Sequence, residues 1–145
     1  MYARGAIVGL TRYVTRAHLV RATLEAICYQ SREVLEAMEA DAGIPLSTLK
    51  VDGGAVKNSF LMQLQANILG KPVVRPQVQE TTALGSAYMA GLATGVWDNL
   101  DDLRSNWNID RVFQPDSPAA QREQGYRGWK RAVQRATKWI ESDDA

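Results

Sequence analysis

Apolar positions along the chain follow a helical period in some stretches and an extended one in others. After Thr15, a plausible N-cap, apolar residues recur mostly at spacings of three, four or seven, which predicts a long helix ended by Gly43 and Pro45. The stripe that this helix is expected to bury consists of Val20, Leu24, Ile27, Val34, Leu35 and Met38. Residues 59–69 predict a second helix, stopped by Gly70, with one apolar face formed by Phe60, Leu61, Leu64 and Ile68.

Short extended segments separate the predicted helices. Residues 5–10 (GAIVGL) are predicted to be a strand or extended segment, and TLKV at 48–51 and PVVRP at 72–76 are predicted strands. A helix rich in small residues is expected at 80–94, and a short helical turn near Leu100 and Leu103. The alternation of helix and strand indicates an α/β layer with parallel strands and crossover helices.

The last part of the chain predicts another amphipathic helix. Ser117 followed by Pro118 is typical of a helix start, because proline at the first position loses no needed hydrogen bond. The apolar positions that follow have alternating spacings of three and four, and they are Tyr126, Trp129, Val133, Ala136 and Ile140.

Composition restricts the classes of function. The 145 residues fit one domain or part of a larger protein, and 17 basic against 16 acidic residues argue against general affinity for nucleic acid or acidic membranes. Cys28 is the single cysteine, which excludes a disulfide framework and a thiolate metal cluster and favours a reducing, cytoplasmic setting. No apolar stretch approaches membrane-spanning length, and arginines interrupt the N-terminal region, unlike a signal peptide.

The sequence VDGGAVKN at 51–58 carries the main candidate site. Gly53 and Gly54 lie between a predicted strand and a predicted helix, where free backbone N–H groups and missing side chains let a ligand approach. The amide of Asn58 can donate and accept, which suits the edge of a purine or the hydroxyls of a ribose. The alternative is a tight turn with Asn58 as a simple N-cap. The spacing fits neither G-x-G-x-x-G nor a Walker A loop.

Other polar residues have simpler interpretations. His18, the single histidine, lies in the first turn of the long helix, where a cap or surface role is favoured over catalysis. Glu25, Glu33 and Glu36 are expected to form a solvated helix face. Asp52 is expected to order the loop that follows it. The small residues of the helix at 80–94 are explained by close packing.

Three stretches in order resemble the FGGY family of carbohydrate kinases. GAIVGL followed by HLVRATLE at 18–25 is similar to the family's C-terminal signature, and VDGGAVKNSFLMQ at 51–63 to its adenosine-binding loop. RPQVQETTALGSAYMAGLATGVW at 75–97 resembles the glycerol kinases within that family. The likeness runs from about residue 2 to residue 140.

The resemblance implies a fold and a set of ligand contacts. The implied fold class is α/β, part of an RNase H-like domain of the actin-like ATPase (sugar kinase/Hsp70/actin) superfamily. The backbone of Gly54 and the amide of Asn58 are implied adenine contacts, with Gly53 as the neighbouring loop glycine. The family gives Lys57 no role that can be assigned. No catalytic or metal-binding residue is implied within these 145 residues.

The resemblance also implies an activity for the complete protein. That activity is transfer of the γ-phosphoryl group of ATP to glycerol, giving glycerol 3-phosphate, with Mg²⁺ as cofactor and with a cytoplasmic homo-oligomer expected. The N-terminal domain, the first strands of the C-terminal domain, the glycerol site and the catalytic base are expected to lie outside residues 1–145. This chain alone is expected to be inactive. The alternative is a non-catalytic module that associates with a partner through the last helix, near Trp129 and Trp139.

Overall fold

The computed structural model describes residues 3–137 and 139, which form an α/β arrangement. Within that part the elements follow in the order α1 (Arg16–Ala42), β1 (Leu49–Lys50), a 3-10 turn (Gly54–Lys57), α2 (Ser59–Leu69), β2 (Val73–Pro76), α3 (Thr81–Ala93), α4 (Leu100–Ser105), β3 (Ile109–Phe113) and α5 (Ala119–Ala136). The helices predicted at 59–69 and 80–94 and the strands predicted at 48–51 and 72–76 are therefore confirmed, with the strands shorter than expected.

The three described strands form one sheet in the order β1–β2–β3. β1 and β2 are parallel, with Leu49 opposite Val73, and α2 is the crossover between them, as predicted. β3 pairs antiparallel with β2, with Val73 opposite Phe113, and this strand is not among the predicted elements. Of the two forms predicted for residues 5–10, a strand or an extended segment, the strand is not found: these residues are exposed and pair with no described strand.

Helix α2 is the centre of the hydrophobic core. It packs against α1 on one side and against β2, β3 and α5 on the others. The buried core residues are Cys28, Val56, Leu61, Met62, Leu64, Ala66, Ile68, Val73 and Phe113. The predicted apolar face of α2 is confirmed at three positions but wrong at Phe60, which is 52% exposed.

The buried stripe predicted for α1 is wrong. Leu24 and Leu35 are half-buried, whereas the other four predicted positions are exposed, namely Val20, Ile27, Val34 and Met38. The face that packs against α2 instead carries Cys28 and Arg32, the two buried residues of the helix. Apolar spacing identified the helix, but the neighbouring elements decide which of its faces is covered.

The ends of the long helix follow the expected signals. Thr15 is the N-cap of α1, and its backbone N–H donates to Nδ1 of His18 over 3.1 Å. His18 is therefore part of a capping box, as the favoured interpretation had it. Gly43 ends α1 with a left-handed φ of 65°, a conformation that suits glycine.

Aromatic rings join α5 to α1. The ring of Tyr29 stacks on Tyr126 with centroids 6.1 Å apart, and on Trp129 with centroids 5.6 Å apart. The predicted apolar stripe of α5 thus faces α1 at Tyr126 and Trp129, while its last member, Ile140, lies outside the described residues. The alternative of an association module needs this stripe to contact a partner protein. At Tyr126 and Trp129 the stripe instead contacts Tyr29 of the same chain.

Close packing explains a small residue of α3. A Cβ atom added to Gly91 would lie 2.2 Å from the indole of Trp97, so the two groups occupy adjacent space only because Gly91 has no side chain.

Among the described helices, none combines the length and the apolar character that a bilayer crossing requires.

Candidate functional site

The loop between β1 and α2 is tied to the sheet at its beginning. The N–H of Gly53 donates to the carbonyl of Gln79 over 2.8 Å, and the N–H of Val51 donates to the carbonyl of Val74 over 3.1 Å. The Asp52 carboxylate accepts a hydrogen bond from the hydroxyl of Thr81 at the start of α3. The loop-ordering role expected for Asp52 is confirmed by this contact.

The two loop glycines are in different situations. Gly53 has φ 82° and ψ 177°, a region that residues with a side chain rarely adopt, so the backbone itself requires glycine there. Gly54 is not among the glycines with positive φ, and a Cβ atom built on it meets no atom within 4 Å. The fold of the described residues therefore gives no steric reason for glycine at position 54.

Asn58 is the N-cap of α2. Its side-chain oxygen accepts hydrogen bonds from the N–H groups of Phe60 and Leu61, each over 3.1 Å. The capping role is thus confirmed, and it leaves a role in ligand binding untested. Since only the oxygen of the amide can accept, these bonds also fix its orientation and leave the NH₂ group free to donate elsewhere. Asn58 is exposed, and among the described residues its NH₂ group has no acceptor.

The capping bonds correct one expectation. The first N–H groups of α2 were expected to point freely toward a ligand. Asn58 instead occupies those of Phe60 and Leu61 with its side chain and that of Met62 with its carbonyl. What this end of α2 offers to a ligand is the amide NH₂ group of Asn58 and the uncovered backbone at Gly54.

Arg75 on β2 supports this loop, and the sequence analysis did not single it out. Its Nη1 donates to the carbonyl of Val56 over 2.8 Å and to the hydroxyl of Ser59 over 3.2 Å, while Nε donates to Asp110 over 2.6 Å. The side chain is only 11% exposed. A charged residue within the short apolar strand PVVRP was the signal available, because such a residue needs a partner when it is buried.

A second arginine lies at the opposite end of α2. Arg32 donates from Nε to Glu36 over 2.6 Å, from Nη2 to Glu123 over 2.7 Å and from Nη1 to the carbonyl of Ile68 over 3.3 Å. Its guanidinium carbon lies 3.9 Å from the ring centroid of Tyr126. The expectation of a purely solvated face is therefore wrong for Glu36, which also accepts from the hydroxyl of Tyr126 over 2.8 Å.

These contacts shift the protonation of two groups. Burial, and after it the hydrogen bond to the Glu36 carboxylate, raise the pKa of Tyr126 to about 12. Burial alone would raise the pKa of Glu36, but the hydrogen bonds from Arg32 and Tyr126 outweigh it and hold that pKa below its ordinary value. The polar groups of this cluster find their hydrogen-bond partners within the chain, which indicates a structural role.

The other polar groups near the loop form no metal site. Over residues 3–137 and 139, no three side chains of histidine, cysteine, aspartate or glutamate are grouped so that they could hold a metal ion. A concavity of about 170 Å³ beside the loop is lined by Lys50, Val51, Asp52, Pro76, Thr81 and Trp107. Gly54 and Asn58 do not line it, and both residues are exposed.

Sequence comparison assigns the chain to a family. A sequence model of the C-terminal domain of the FGGY family of carbohydrate kinases matches residues 2–94, so the chain belongs to that family. It is 64% identical over 141 residues to a glycerol kinase of Caldanaerobacter subterraneus subsp. tengcongensis, a match that covers 97% of this chain and 28% of that protein. A glycerol kinase of Acidiphilium cryptum is 60% identical over 139 residues, covering 96% and 28% of the two chains.

Solved structures agree with the family. The crystal structure of Plasmodium falciparum glycerol kinase with ADP superimposes with a TM-score of 0.83 at 36% identity, over 92% of this chain and 27% of that one. A xylulose kinase from Rhodospirillum rubrum gives a TM-score of 0.75 at 26% identity, over 93% and 28%. The expected fold class, part of an RNase H-like domain of the sugar kinase/Hsp70/actin superfamily, is confirmed.

Proposed function

We propose that this chain is the adenine-binding part of an ATP-dependent glycerol kinase, whose complete polypeptide phosphorylates glycerol to glycerol 3-phosphate. The chain spans 28% of the length of the first relatives that it matches, so the activity belongs to a longer polypeptide. The observation that carries the proposal is the loop at Gly54 and Asn58 in a chain of this family. That loop presents uncovered backbone and one oriented donor on an open surface.

The two polar groups of the Asn58 amide have different roles in this proposal. The amide oxygen is engaged by the first N–H groups of α2, so the NH₂ group is the part that faces a ligand. It would donate to an acceptor nitrogen of the adenine base, while the base approaches the backbone at Gly54, where a side chain would otherwise stand. Gly53 contributes indirectly, since its backbone conformation turns the chain into this loop.

Catalysis would depend on groups outside this chain. Among the described residues, no group of three side chains could hold a metal ion. In the complete kinase, Mg²⁺ would accompany the phosphates of ATP, and the glycerol site and general base would be supplied by the remaining polypeptide. This chain would bind and orient the nucleotide and form one wall of the cleft.

A complete enzyme is needed to test the proposal. In what we call the exchange kinase, this chain replaces the matching segment of the Caldanaerobacter subterraneus glycerol kinase, to which it is 64% identical. We expect the exchange kinase to bind ADP and to form glycerol 3-phosphate from ATP and glycerol. A folded exchange kinase that binds no ADP, measured by calorimetry beside the unaltered host, would contradict the proposal.

Asn58 variants of the exchange kinase test the site itself. Asn58→Ala removes the cap and the donor, whereas Asn58→Asp keeps an oxygen acceptor for the cap and removes the NH₂ group. We expect both variants to lose preference for ATP over CTP by about two- to tenfold, the effect of one neutral hydrogen bond. Only Asn58→Ala should also lose about 1 kcal/mol of unfolding free energy.

Asn99 provides the matched control. It caps α4 with the same pattern of hydrogen bonds, accepting from the N–H groups of Asp101 and Asp102 over 2.8 and 3.1 Å. Asn99→Ala should lower the melting temperature while leaving the preference for ATP over CTP unchanged. If Asn58→Asp also keeps the full preference, Asn58 acts as a cap alone, and the adenine contact is wrong.

The remaining predictions concern assembly and location. A homo-oligomer and a cytoplasmic setting stay predictions from the resemblance. Light scattering of the polypeptide as the organism produces it would measure the first directly, and a monomer at micromolar concentration would contradict it.

A further inference from the structure

Arg75 links the sheet to both sides of Asn58. The carbonyl of Val56 precedes Asn58 by two residues, the hydroxyl of Ser59 follows it by one, and both accept from the same Nη1 atom, over 2.8 and 3.2 Å. Arg75 lies on β2, the middle strand of the sheet, so the turn that carries Asn58 is held to a fixed element.

The arginine is itself held firmly. Asp110 on β3 accepts from Nε over 2.6 Å, and the guanidinium carbon lies 5.3 Å from the ring centroid of Phe113, which is 2% exposed. With the side chain 11% exposed and bonded on both edges, its position varies little. A lysine could not reproduce this arrangement, because one ammonium group lacks the separate Nε and Nη1 donors of the planar fork.

The loop has other supports besides Arg75, since Asn58 itself bonds to the N–H groups of Phe60 and Leu61. Gly53 is tied to Gln79, and Val56 is 3% exposed with its side chain in the core. Gly54, which follows Gly53, and Asn58, two residues after Val56, are both exposed. The relation of Gly54 to Asn58 depends on these bonds and also on how Arg75 places the Val56 carbonyl and the Ser59 hydroxyl.

We propose that Arg75 is a positioning residue for nucleotide binding: it holds Val56 and Ser59 so that Gly54 and the Asn58 amide face the base together. This inference rests on the proposed function of the loop. Arg75 touches no ligand itself in this scheme and acts only through the residues that it holds. Its loss should therefore weaken nucleotide binding without altering the binding of the phosphoryl acceptor.

Arg32 offers a closely matched control. Its side chain is also 11% exposed, it also bonds to a backbone carbonyl of the α2 region, and it also lies against a buried aromatic ring. It holds the far end of α2, at Ile68, rather than the loop. Variants of the two arginines thus separate a loss of position at the loop from a general loss of stability.

The test compares Arg75→Met, Arg75→Lys and Arg32→Met in the exchange kinase. We expect Arg75→Met to raise the KM for ATP about tenfold relative to the KM for glycerol, since small misplacements of binding groups have large effects. Arg75→Lys should show a smaller increase. Arg32→Met should lower the melting temperature but leave the ratio of the two KM values within about twofold of the parent. Asp110→Asn, a milder change, should shift the ratio in the same direction as Arg75→Met and serves if that variant does not fold.

Each outcome has one meaning. If Arg32→Met raises the ratio as much as Arg75→Met, general destabilisation is the cause and the positioning role is wrong. If Gly54→Val weakens ADP binding while Arg75→Met and Asp110→Asn do not, the proposed site stands and the inference about Arg75 fails. If none of these changes alters ADP affinity, the proposed site itself fails.

Discussion

The two ends of α2 are capped in different ways. At the C-terminal end, Gly70 closes the helix, Arg32 donates to Glu36 and to the carbonyl of Ile68, and Tyr126 donates to Glu36. At the N-terminal end, Asn58 closes the helix and keeps an unused, exposed donor. The polar groups at the C-terminal end are used within the fold, and in our proposal the exposed donor at the N-terminal end is used by a ligand.

The glycines at the two ends show the same difference. Gly70 has φ 68°, and a Cβ atom there would lie 2.6 Å from the guanidinium carbon of Arg122. Gly54 has open space on the side where its Cβ atom would stand. Gly70 is favoured by the chain's own backbone conformation, and Gly54 is required, in our proposal, by a molecule that is not part of the chain.

Gly54→Val should have the largest effect on binding. The added branched side chain would occupy the space proposed for adenine, so we expect the KM for ATP in the exchange kinase to rise tenfold or more, an estimate of about 1.4 kcal/mol or above. The KM for glycerol and the melting temperature should change little, because no described atom lies within 4 Å of the new Cβ. Equal increases in both KM values would indicate a closure defect or misfolding instead.

Gly70→Ala should show the reverse pattern. An alanine held at φ 68° is strained by about 1–2 kcal/mol, and the Arg122 side chain has to move aside as well. We expect a lower midpoint of urea unfolding with no change in the preference for ATP over CTP. A loss of nucleotide preference in this variant would show that the two ends of α2 are not independent.

Tyr126 should make the C-terminal end sensitive to alkali. Its pKa in the folded chain is raised from 10.0 to about 12, so the unfolded chain loses the phenolic proton first. This contribution to stability is present below pH 10 and is lost as the pH rises toward about 12. Tyr126→Phe should therefore flatten the decline of unfolding free energy over that range, whereas Tyr13→Phe, a change at a residue 74% exposed, should leave it as it is.

Glu36 should produce the smallest effect, at acid pH. Its pKa is held below the ordinary value of 4.5, so its contribution to stability is present above that value and is lost as the pH falls through the folded pKa. Because the side chain is 44% exposed, solvent weakens the contribution. Glu36→Gln should reduce the acid slope of stability slightly, and an unchanged slope would show that the ion pair with Arg32 contributes nothing.

Local sequence signals predicted the helices and strands themselves better than they predicted the contacts between them. The bounds of α2 followed from its spacing and from Gly70, and Thr15 and Gly43 fixed the ends of α1. The strand β3 was not predicted. Only Phe113 of its five residues is buried, so the strand has no alternation of buried and exposed positions. Its pairing is set by the neighbouring strand, which no local pattern describes.

The candidate site was predictable only in part. The sequence pointed to Gly53, Gly54 and Asn58 as a group, and the structure gives each a distinct situation. It could not say that the Asn58 oxygen is already engaged, nor that Arg75, 17 positions further along, holds the turn, because both depend on tertiary contacts. The same limit explains α1, where Val20 and Ile27 fit the apolar spacing and yet are exposed.

The burial of Cys28 has a practical consequence for chemical labelling. The thiol lies in the core beneath α2, 3.9 Å from the carbonyl of Leu61, and burial raises its pKa to about 12. Since the thiolate is the reactive form, alkylating reagents can modify this cysteine only when α1 and α2 separate, and the labelling rate measures how often they do. A thiol introduced at an exposed position, as in Lys57→Cys, would react far sooner and carry a fluorophore next to Asn58.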